Sequence, residues 1–144
     1  MGYGVPSGVA AKVAFPNKMV VSVSGDGCFL MNGQEISTAI QYNLKILFVV
    51  FDNGMYGTIR MHQERDYPEH VYGTDLKNPD FAALARAYGL YAETINTTAE
   101  IRGAFERCLD QTVASLIHIK VDPEAITTRT TLTAIREHAL SKQG

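Results

Sequence analysis

The feature that most constrains the fold of this 144-residue chain is a short apolar run at residues 46–51. It reads Ile-Leu-Phe-Val-Val-Phe, is rich in β-branched and aromatic residues, and is bounded by polar residues on both sides. A run that is apolar at every position is typical of a strand covered on both faces of a sheet. We therefore expect a strand over residues 45–51, buried between two layers of helices.

Helical segments separate this strand from three other predicted strands, at residues 19–24, 90–95 and 115–121. The helices are predicted over residues 7–15, 29–42, 79–88 and 98–111, with a short one near 132–140. Asn78 is the expected cap of the third helix, with Pro79 as its first residue. Alternating strands and helices predict an α/β fold of three layers, with a parallel sheet and helices on both faces.

Composition narrows the class of protein. Hydrophobic residues make up 46% and charged residues 19%, which predicts one globular domain over residues 1–144, with residues 125–144 as a C-terminal tail. The net charge of -2 argues against nucleic acid or an anionic membrane as the partner. The run at 46–51 is far shorter than the roughly 20 residues of a membrane helix. The cysteines, Cys28 and Cys108, are too few for a disulfide scaffold, so we expect a cytoplasmic protein.

Two glycine-rich polar segments follow consecutive predicted strands. Asp26 lies in Gly25-Asp26-Gly27-Cys28, and Asn53 lies in Asp52-Asn53-Gly54. If the two strands are neighbours, Asp26 and Asn53 lie at the same edge of a parallel sheet, where ligands bind. The start of the helix after Gly27 suits a phosphate, and the oxygens of Asp26 and Asn53 suit a cation such as Mg²⁺ or Ca²⁺. Together they predict a site for a metal-bridged diphosphate.

Turns, a phosphoacceptor site and a non-catalytic binding module are alternative interpretations of these segments. Asp-Gly and Asn-Gly are common turn sequences, but each segment here joins a strand to helical or irregular sequence, so neither is a hairpin turn. A phosphoacceptor domain is excluded because residues 1–25 contain no acidic residue. A non-catalytic α/β module that binds a phosphorylated ligand or a partner domain remains open.

The two segments together resemble the thiamine diphosphate motif, in which Gly-Asp-Gly is followed at this spacing by Asn-Asn. Further landmarks resemble acetolactate synthases and related enzymes across most of the chain, at residues 1–6, 31–35, 78–81 and 121–123. The chain departs from the motif at Asp52, where the family usually has its first Asn. The resemblance implies a diphosphate-binding domain of a thiamine diphosphate- and Mg²⁺-dependent enzyme that acts on 2-oxo acids.

The resemblance also implies roles for individual residues. Asp26 and Asn53 would bind Mg²⁺ through side-chain oxygens, and Met55 through its backbone carbonyl. The backbone N–H groups of Gly27 and Cys28 would bind the diphosphate. The remaining implied cofactor-binding residues are Met1, which would lie under the cofactor and bend it, together with Gly25, Tyr56 and Gly57.

In this family the Glu that activates the cofactor comes from a separate pyrimidine-binding domain, which 144 residues leave no room for. We therefore expect a fragment or a subunit of a larger enzyme that works as a homo-oligomer, with no activating residue of its own. Glu35 lies in the Gln-Glu of a helix of this domain, so we interpret it as structural. The resemblance also predicts that this domain exposes an apolar surface.

The substrate stays open at this stage. The segment 53–64 aligns without a gap with acetolactate synthases, but His62 stands where they carry Trp and Thr58 where they carry Met. The same segment resembles benzoylformate decarboxylase, so a decarboxylase of aryl 2-oxo acids is the alternative. His62 could move a proton or simply be a loop residue, and His118 is expected to be packed within its strand.

Overall fold

The computed structural model describes residues 1–142 and divides the chain into two compact units. The first unit contains Met1–Asp52 and Asn78–Lys120, and the second contains Asn53–Lys77 and the chain from Val121 onward. None of the helices in residues 1–142 has the length and apolarity needed to cross a lipid bilayer.

The first unit is built on a parallel sheet of four strands. They are β1 (Val21–Gly25), β2 (Leu47–Asp52), β3 (Tyr91–Ile95) and β4 (Ser115–Lys120), in the spatial order β1-β2-β4-β3. All three strand pairs are parallel, which confirms the predicted sheet and the pairing of the first two strands. The central strands β2 and β4 are almost wholly buried, as their apolar runs predicted.

Helices cover both faces of this sheet, which confirms the predicted three layers. The first unit contains α1 (Gly4–Ala14), α2 (Asp26–Asn32), α3 (Ile36–Gln41), α5 (Phe81–Ala87) and α6 (Ile101–Asp110). On one face, Phe48, Val50 and Leu116 share a core with Val5 of α1 and Phe81 of α5. On the other face α6 packs against β3 and β4, and the hydroxyl of Ser115 donates to the carbonyl of Cys108 at 3.1 Å.

The edge strand β1 is covered on only one face. Its Ser22 and Ser24 lie against Gly8 and Gly4 of α1, where an added Cβ would come within 2.7 and 2.1 Å of these serine side chains. Val21 and Val23 point to the opposite face and are exposed. An exposed apolar surface was expected, and β1 carries part of it.

The second unit is held together by two helices and a short β-bridge. They are α4 (Gly57–Asp66) and α7 (Leu132–Leu140), which pack against each other. Residues Met55 and Asp75 form an antiparallel bridge just before α4. The predicted short helix near 132–140 is confirmed as α7, which lies within the predicted tail.

Two predictions about the helices were wrong. The segment 29–42 is not one helix, since a 3₁₀ turn at Gly33–Glu35 separates α2 from α3. Glycine is a weak helix former, and Gly33 lies so close to the Phe29 ring that a Cβ would come within 2.6 Å of it. The cap of α5 is Asp80, whose carboxylate accepts from the Ala83 N–H at 3.0 Å, and not Asn78. The Asn78 side chain instead donates to the carboxylates of Asp26 and Asp52.

Candidate functional site

The carboxyl ends of β1 and β2 bring Asp26 and Asp52 to one edge of the sheet. Gly25 and Phe51 are paired across the two strands, so the next residues, Asp26 and Asp52, lie side by side. Both carboxylates are buried, with 3% of Asp26 and 4% of Asp52 exposed. Two buried carboxylates at neighbouring strand ends are costly unless they are hydrogen-bonded and their charge is balanced.

Asn78 links these two carboxylates through one amide group. Its Nδ2 donates to Oδ2 of Asp26 and to Oδ1 of Asp52, each at 2.7 Å. Both hydrogens of the amide are therefore used. The opposite orientation would turn the amide oxygen toward two anions, so the chemistry of the neighbours determines which way the group points.

Two residues of β4 also contact Asp52. His118 Nε2 lies 2.8 Å and Lys120 Nζ 2.5 Å from Oδ2 of Asp52. His118 is buried and packs edge-on against the Phe81 ring, whereas Lys120 is half-exposed. Lys120 therefore balances the charge of Asp52 from the solvent side, while His118 contacts it from the core.

These contacts move the pKa values of the two carboxyls in opposite directions. Burial raises the pKa of Asp52, but the hydrogen bonds from Lys120, His118 and Asn78 outweigh it and hold the pKa far below its usual range. Burial raises the pKa of Asp26, and the neighbouring Asp52 adds to that rise against the hydrogen bonds from Asn78 and Gly27. Asp52 is thus held in its ionised form, whereas the surroundings of Asp26 favour its ionised form less.

The start of α2 lies directly beside Asp26. The Gly27 N–H donates to Oδ1 of Asp26 at 2.8 Å, and Gly25 precedes the helix in an extended conformation. A Cβ added to Gly25 would meet no atom within 4 Å. The space beside this glycine is therefore not filled by the chain itself, as a cradle for a ligand requires.

Cys28 lies in the first turn of α2, close to the start of α1. Its Sγ accepts a hydrogen bond from the Gly2 N–H at 3.3 Å. Burial raises the pKa of this thiol, but the backbone N–H groups of Gly4, Gly2 and Tyr3 outweigh burial and lower the pKa below its ordinary value. Met1, which precedes Gly2, is largely exposed. The first turn of α2 is therefore able to stabilise a negative charge.

The second unit contains the other predicted site residues. Asn53 Oδ1 accepts from the Met55 N–H at 3.2 Å, which forms a tight turn through Gly54 at φ +72°. The side chain of Asn53 packs on Gly57, where an added Cβ would come within 2.8 Å of its Nδ2. Gly57 is therefore required for the close approach of Asn53 to the start of α4.

The backbone carbonyl of Met55 is not used by the bridge to Asp75. The bridge is made by Tyr56 N–H to the Thr74 carbonyl and Leu76 N–H to the Gly54 carbonyl, both at 2.8 Å. Met55 itself therefore sits at a position whose own N–H and C=O point away from Asp75. His62, predicted as a loop residue or a proton carrier, lies exposed on α4.

Sequence reasoning missed the residues around Asp52. Asn78 was taken as a helix cap, Lys120 was not considered, and His118 was expected to be packed but not paired. A signal was available, because residues 118 and 120 lie two apart at the carboxyl end of a strand and so share one face. In residues 1–142 no group of three or more His, Cys, Asp or Glu side chains is arranged to hold a metal ion. A metal site here would need amide and backbone oxygens beside a carboxylate.

Comparison with known proteins gives a consistent result. Residues 1–119 match the family described as "Thiamine pyrophosphate enzyme, C-terminal TPP binding domain". The chain is 37% identical over 123 residues to the acetolactate synthase isozyme 2 large subunit of Escherichia coli, covering 85% of this chain and 22% of that protein. It is also 37% identical over 134 residues to the 3D-(3,5/4)-trihydroxycyclohexane-1,2-dione hydrolase of Bacillus subtilis, covering 88% and 21%.

A solved structure agrees with these relatives. The thiamine diphosphate-dependent 4-hydroxybenzoylformate decarboxylase of Rhodococcus jostii superposes with a TM-score of 0.79 at 27% identity, covering 85% of this chain and 23% of the other. This chain thus spans between a fifth and a quarter of the length of the proteins it matches. With residues 1–119 matched, the chain belongs to the thiamine pyrophosphate enzyme family as its C-terminal TPP binding domain.

Proposed function

We propose that this chain binds the diphosphate of thiamine diphosphate through Mg²⁺ and forms one half of an active site that acts on 2-oxo acids. The observation that carries the proposal is the buried Asp26 carboxylate, placed beside the first turn of α2 and next to the open space at Gly25. A buried carboxylate with a raised pKa, next to N–H groups that favour an anion, suits a cation with a bound phosphate.

The proposed metal ligands are Asp26, Asn53 and the backbone carbonyl of Met55. All three are oxygen donors, which is the ligand type that Mg²⁺ prefers. The position of Met55 in its bridge supports its role, because that carbonyl points away from Asp75. The diphosphate supplies the negative charge that a single protein carboxylate leaves unbalanced on a divalent ion.

The proposed diphosphate ligands are the backbone N–H groups of Gly27 and Cys28, with Gly25, Tyr56 and Gly57 beside them and Met1 under the cofactor. The lowered pKa of the Cys28 thiol supports an anion here, because the N–H groups that stabilise a thiolate also favour a phosphate oxygen. Thiamine diphosphate supplies, when bound, the nucleophilic carbon and the electron sink for decarboxylation. The chain's own residues hold it in place.

We further propose that the whole enzyme acts as an acetolactate synthase-like transferase or lyase. The relatives from Escherichia coli and other organisms named as acetolactate synthases support this class. A pyrimidine-binding domain of the same or another chain would complete the site, in a homo-oligomer. The two free cysteines are consistent with a reducing, cytoplasmic setting.

A second candidate is a decarboxylase of aromatic 2-oxo acids. The decarboxylase from Rhodococcus jostii, with its TM-score of 0.79, favours this alternative. Two residues of α4 also favour a different substrate. Thr58 stands where acetolactate synthases carry Met, and His62 stands where they carry Trp.

The test is an NMR titration of the chain with thiamine diphosphate up to about 10 mM, in the presence and absence of Mg²⁺, since half a site binds weakly. We expect amide shifts at Asp26, Gly27, Cys28 and Asn53 that require Mg²⁺ and disappear in Asp26→Ala. Shifts that are independent of Mg²⁺ and unchanged in Asp26→Ala would favour a non-catalytic phosphate-binding module. No shifts up to that concentration would refute cofactor binding by this chain.

A further inference from the structure

The four residues Asn78, Asp52, His118 and Lys120 form a connected group that the proposed cofactor site does not use directly. We propose that this group is a positioning network, which holds the Asp26 carboxylate in the orientation needed to bind Mg²⁺ and keeps Asp52 away from the metal. The inference rests on the proposed function, because it takes Asp26 as the metal ligand.

Asn78 shares its amide group between Asp26 and Asp52. Asn78 Nδ2 contacts Oδ2 of Asp26 and Oδ1 of Asp52, each at 2.7 Å. With the Gly27 N–H on Oδ1 of Asp26 at 2.8 Å, the Asp26 carboxylate is held at both of its oxygens. Its rotation is therefore restricted before any metal arrives, because hydrogen bonds from neighbouring residues fix the orientation of a metal ligand.

Asn78 is in turn held in place by Asp52. The amide can bridge two carboxylates only while Asp52 stays where it is. Asp52 is held by His118 at 2.8 Å and Lys120 at 2.5 Å, both on its Oδ2. The chain of contacts therefore runs from Lys120, on the solvent side, through Asp52 and Asn78 to Asp26.

Asp52 itself is not expected to bind the metal, because its oxygens already accept from other side chains. The three donors Asn78, His118 and Lys120 occupy both of its oxygens, and Lys120 balances its charge. Asp52 lies between His118 of the core and Lys120, whereas Asp26 lies beside the first turn of α2 and the open space at Gly25. The network thus leaves Asp26 as the carboxylate that faces a cation.

The experiment uses the whole chain. It measures ligand binding by NMR and does not depend on enzyme activity. Asn78→Ala removes the amide and changes no charge. Lys120→Met removes the cation that neutralises Asp52, and its position at the rim makes it the safer variant for folding. We expect each to weaken Mg²⁺-dependent thiamine diphosphate binding by about tenfold or more, the usual cost of losing a residue that orients a metal ligand. The matched controls, Asn17→Ala and Lys18→Met, lie before β1 at the opposite end of the strands and should bind as the wild type does.

A rescue separates positioning from general stability. In Asp52→Asn/Lys120→Met the side chain at 52 is neutral, its oxygen can still accept from Asn78, and its NH₂ can donate to His118 Nε2 in the other tautomer. We expect the double variant to recover binding to within about twofold of the wild type, because the geometry is kept and the charge is again balanced. A spectroscopic signal adds to this. The two Nδ2 protons of Asn78 should be downfield and slow to exchange in the wild type and should lose both properties in Lys120→Met.

The outcomes separate this inference from the proposed function. If Asp26→Asn binds as tightly as the wild type, the metal assignment itself fails. If Asp26→Asn loses binding while Asn78→Ala and Lys120→Met both bind as the wild type does, the positioning network alone is refuted. If Lys120→Met weakens binding and the double variant does not recover it, Lys120 acts through its charge only and the network is also refuted.

Discussion

Asn78 donates a 2.7 Å hydrogen bond to Asp26, although 52 residues separate them in the chain. The contact is made because α5 begins after Asn78 and packs against β3 and β4, so the loop before it ends at the carboxyl edge of the sheet. A residue that would otherwise cap a helix is thereby available to two carboxylates. The cap moves to Asp80, and the four predictions below concern the sites that this arrangement and the second unit create.

Gly25→Ala tests whether the open space beside α2 is a binding cradle. The backbone at Gly25 has φ -74° and ψ 161°, which alanine adopts freely, and no atom lies within 4 Å of an added Cβ. We expect an unchanged melting temperature and a loss of thiamine diphosphate affinity of about tenfold or more, equivalent to roughly 1.4 kcal/mol. The control is Gly103→Ala on α6, which should bind as the wild type does. Equal affinity in Gly25→Ala would show that no ligand approaches this glycine.

Alkylation should distinguish the two cysteines. Backbone N–H groups lower the pKa of the Cys28 thiol, whereas burial raises the pKa of Cys108 to about 11. With iodoacetamide near neutral pH we expect Cys28 to react at least about 100-fold faster, because thiolate reacts and Cys108 holds far less of it. Mass spectrometry of tryptic peptides gives both rates. Thiamine diphosphate with Mg²⁺ should slow the reaction of Cys28 alone, and an unchanged Cys28 rate at saturation would contradict its place beside the diphosphate.

Arg136→Met should destabilise the second unit. Glu64 of α4 is fully buried, and Arg136 of α7 donates to both of its oxygens, one of them at 2.7 Å. Removing Arg136 leaves a buried carboxylate with only the weaker contacts of Arg60 at 3.3 Å and the Glu69 N–H at 3.4 Å among the described residues, so we expect a loss of about 3 kcal/mol. Hydrogen exchange of the α4 and α7 amides measures it. Arg65→Met, which breaks the exposed pair with Asp66, is the matched control and should leave the stability of the second unit nearly unchanged, because water screens an exposed ion pair. Similar losses in both variants would contradict the role of burial.

The same ion pair predicts a dependence of stability on pH. The hydrogen bonds from Arg136 outweigh burial and lower the pKa of Glu64 from 4.5 to about 2. Because the folded-state pKa is depressed, the stabilisation is complete above pH 4.5 and is lost as the pH falls toward 2. We expect the free energy of unfolding of the wild type to fall between pH 6 and 3 by about 2 kcal/mol more than that of Glu64→Gln/Arg136→Met. Parallel curves for the two proteins in urea titrations would contradict this pKa.

Local sequence was enough for the strands and for most helices. The apolar runs at 46–51 and 115–121 predicted β2 and β4, because their burial on both faces is a property of each segment's own residues. The first helix, by contrast, begins at Gly4 and not at residue 7, and the helices predicted from the sequence did not include α4. The polar α4 carries little apolar periodicity, since its one buried residue, Glu64, is paired with arginines.

Some features of the candidate site were likewise visible in local sequence, whereas others depended on how the strands pair. The Gly-Asp-Gly and Asp-Asn-Gly segments are local motifs, so the residue types suited to a metal and a diphosphate were visible in the sequence, as was the family that they resemble. Whether two strands pair, and in which register, determines that Asp26 and Asp52 lie side by side at the carboxyl edge of the sheet. Crossover geometry made this pairing the expected one, and the sheet order confirms it.

The α/β class, the buried central strands and the chemical character of the strand ends follow from the sequence alone, since each depends on neighbouring residues. The packing of distant segments brings Asn78, His118 and Lys120 to Asp52, and brings Arg136 to Glu64 from 72 residues away. These contacts compensate buried charge, and any donor of suitable length could do so. Their identity follows from which strand and helix ends converge, and no local pattern of residues encodes that convergence.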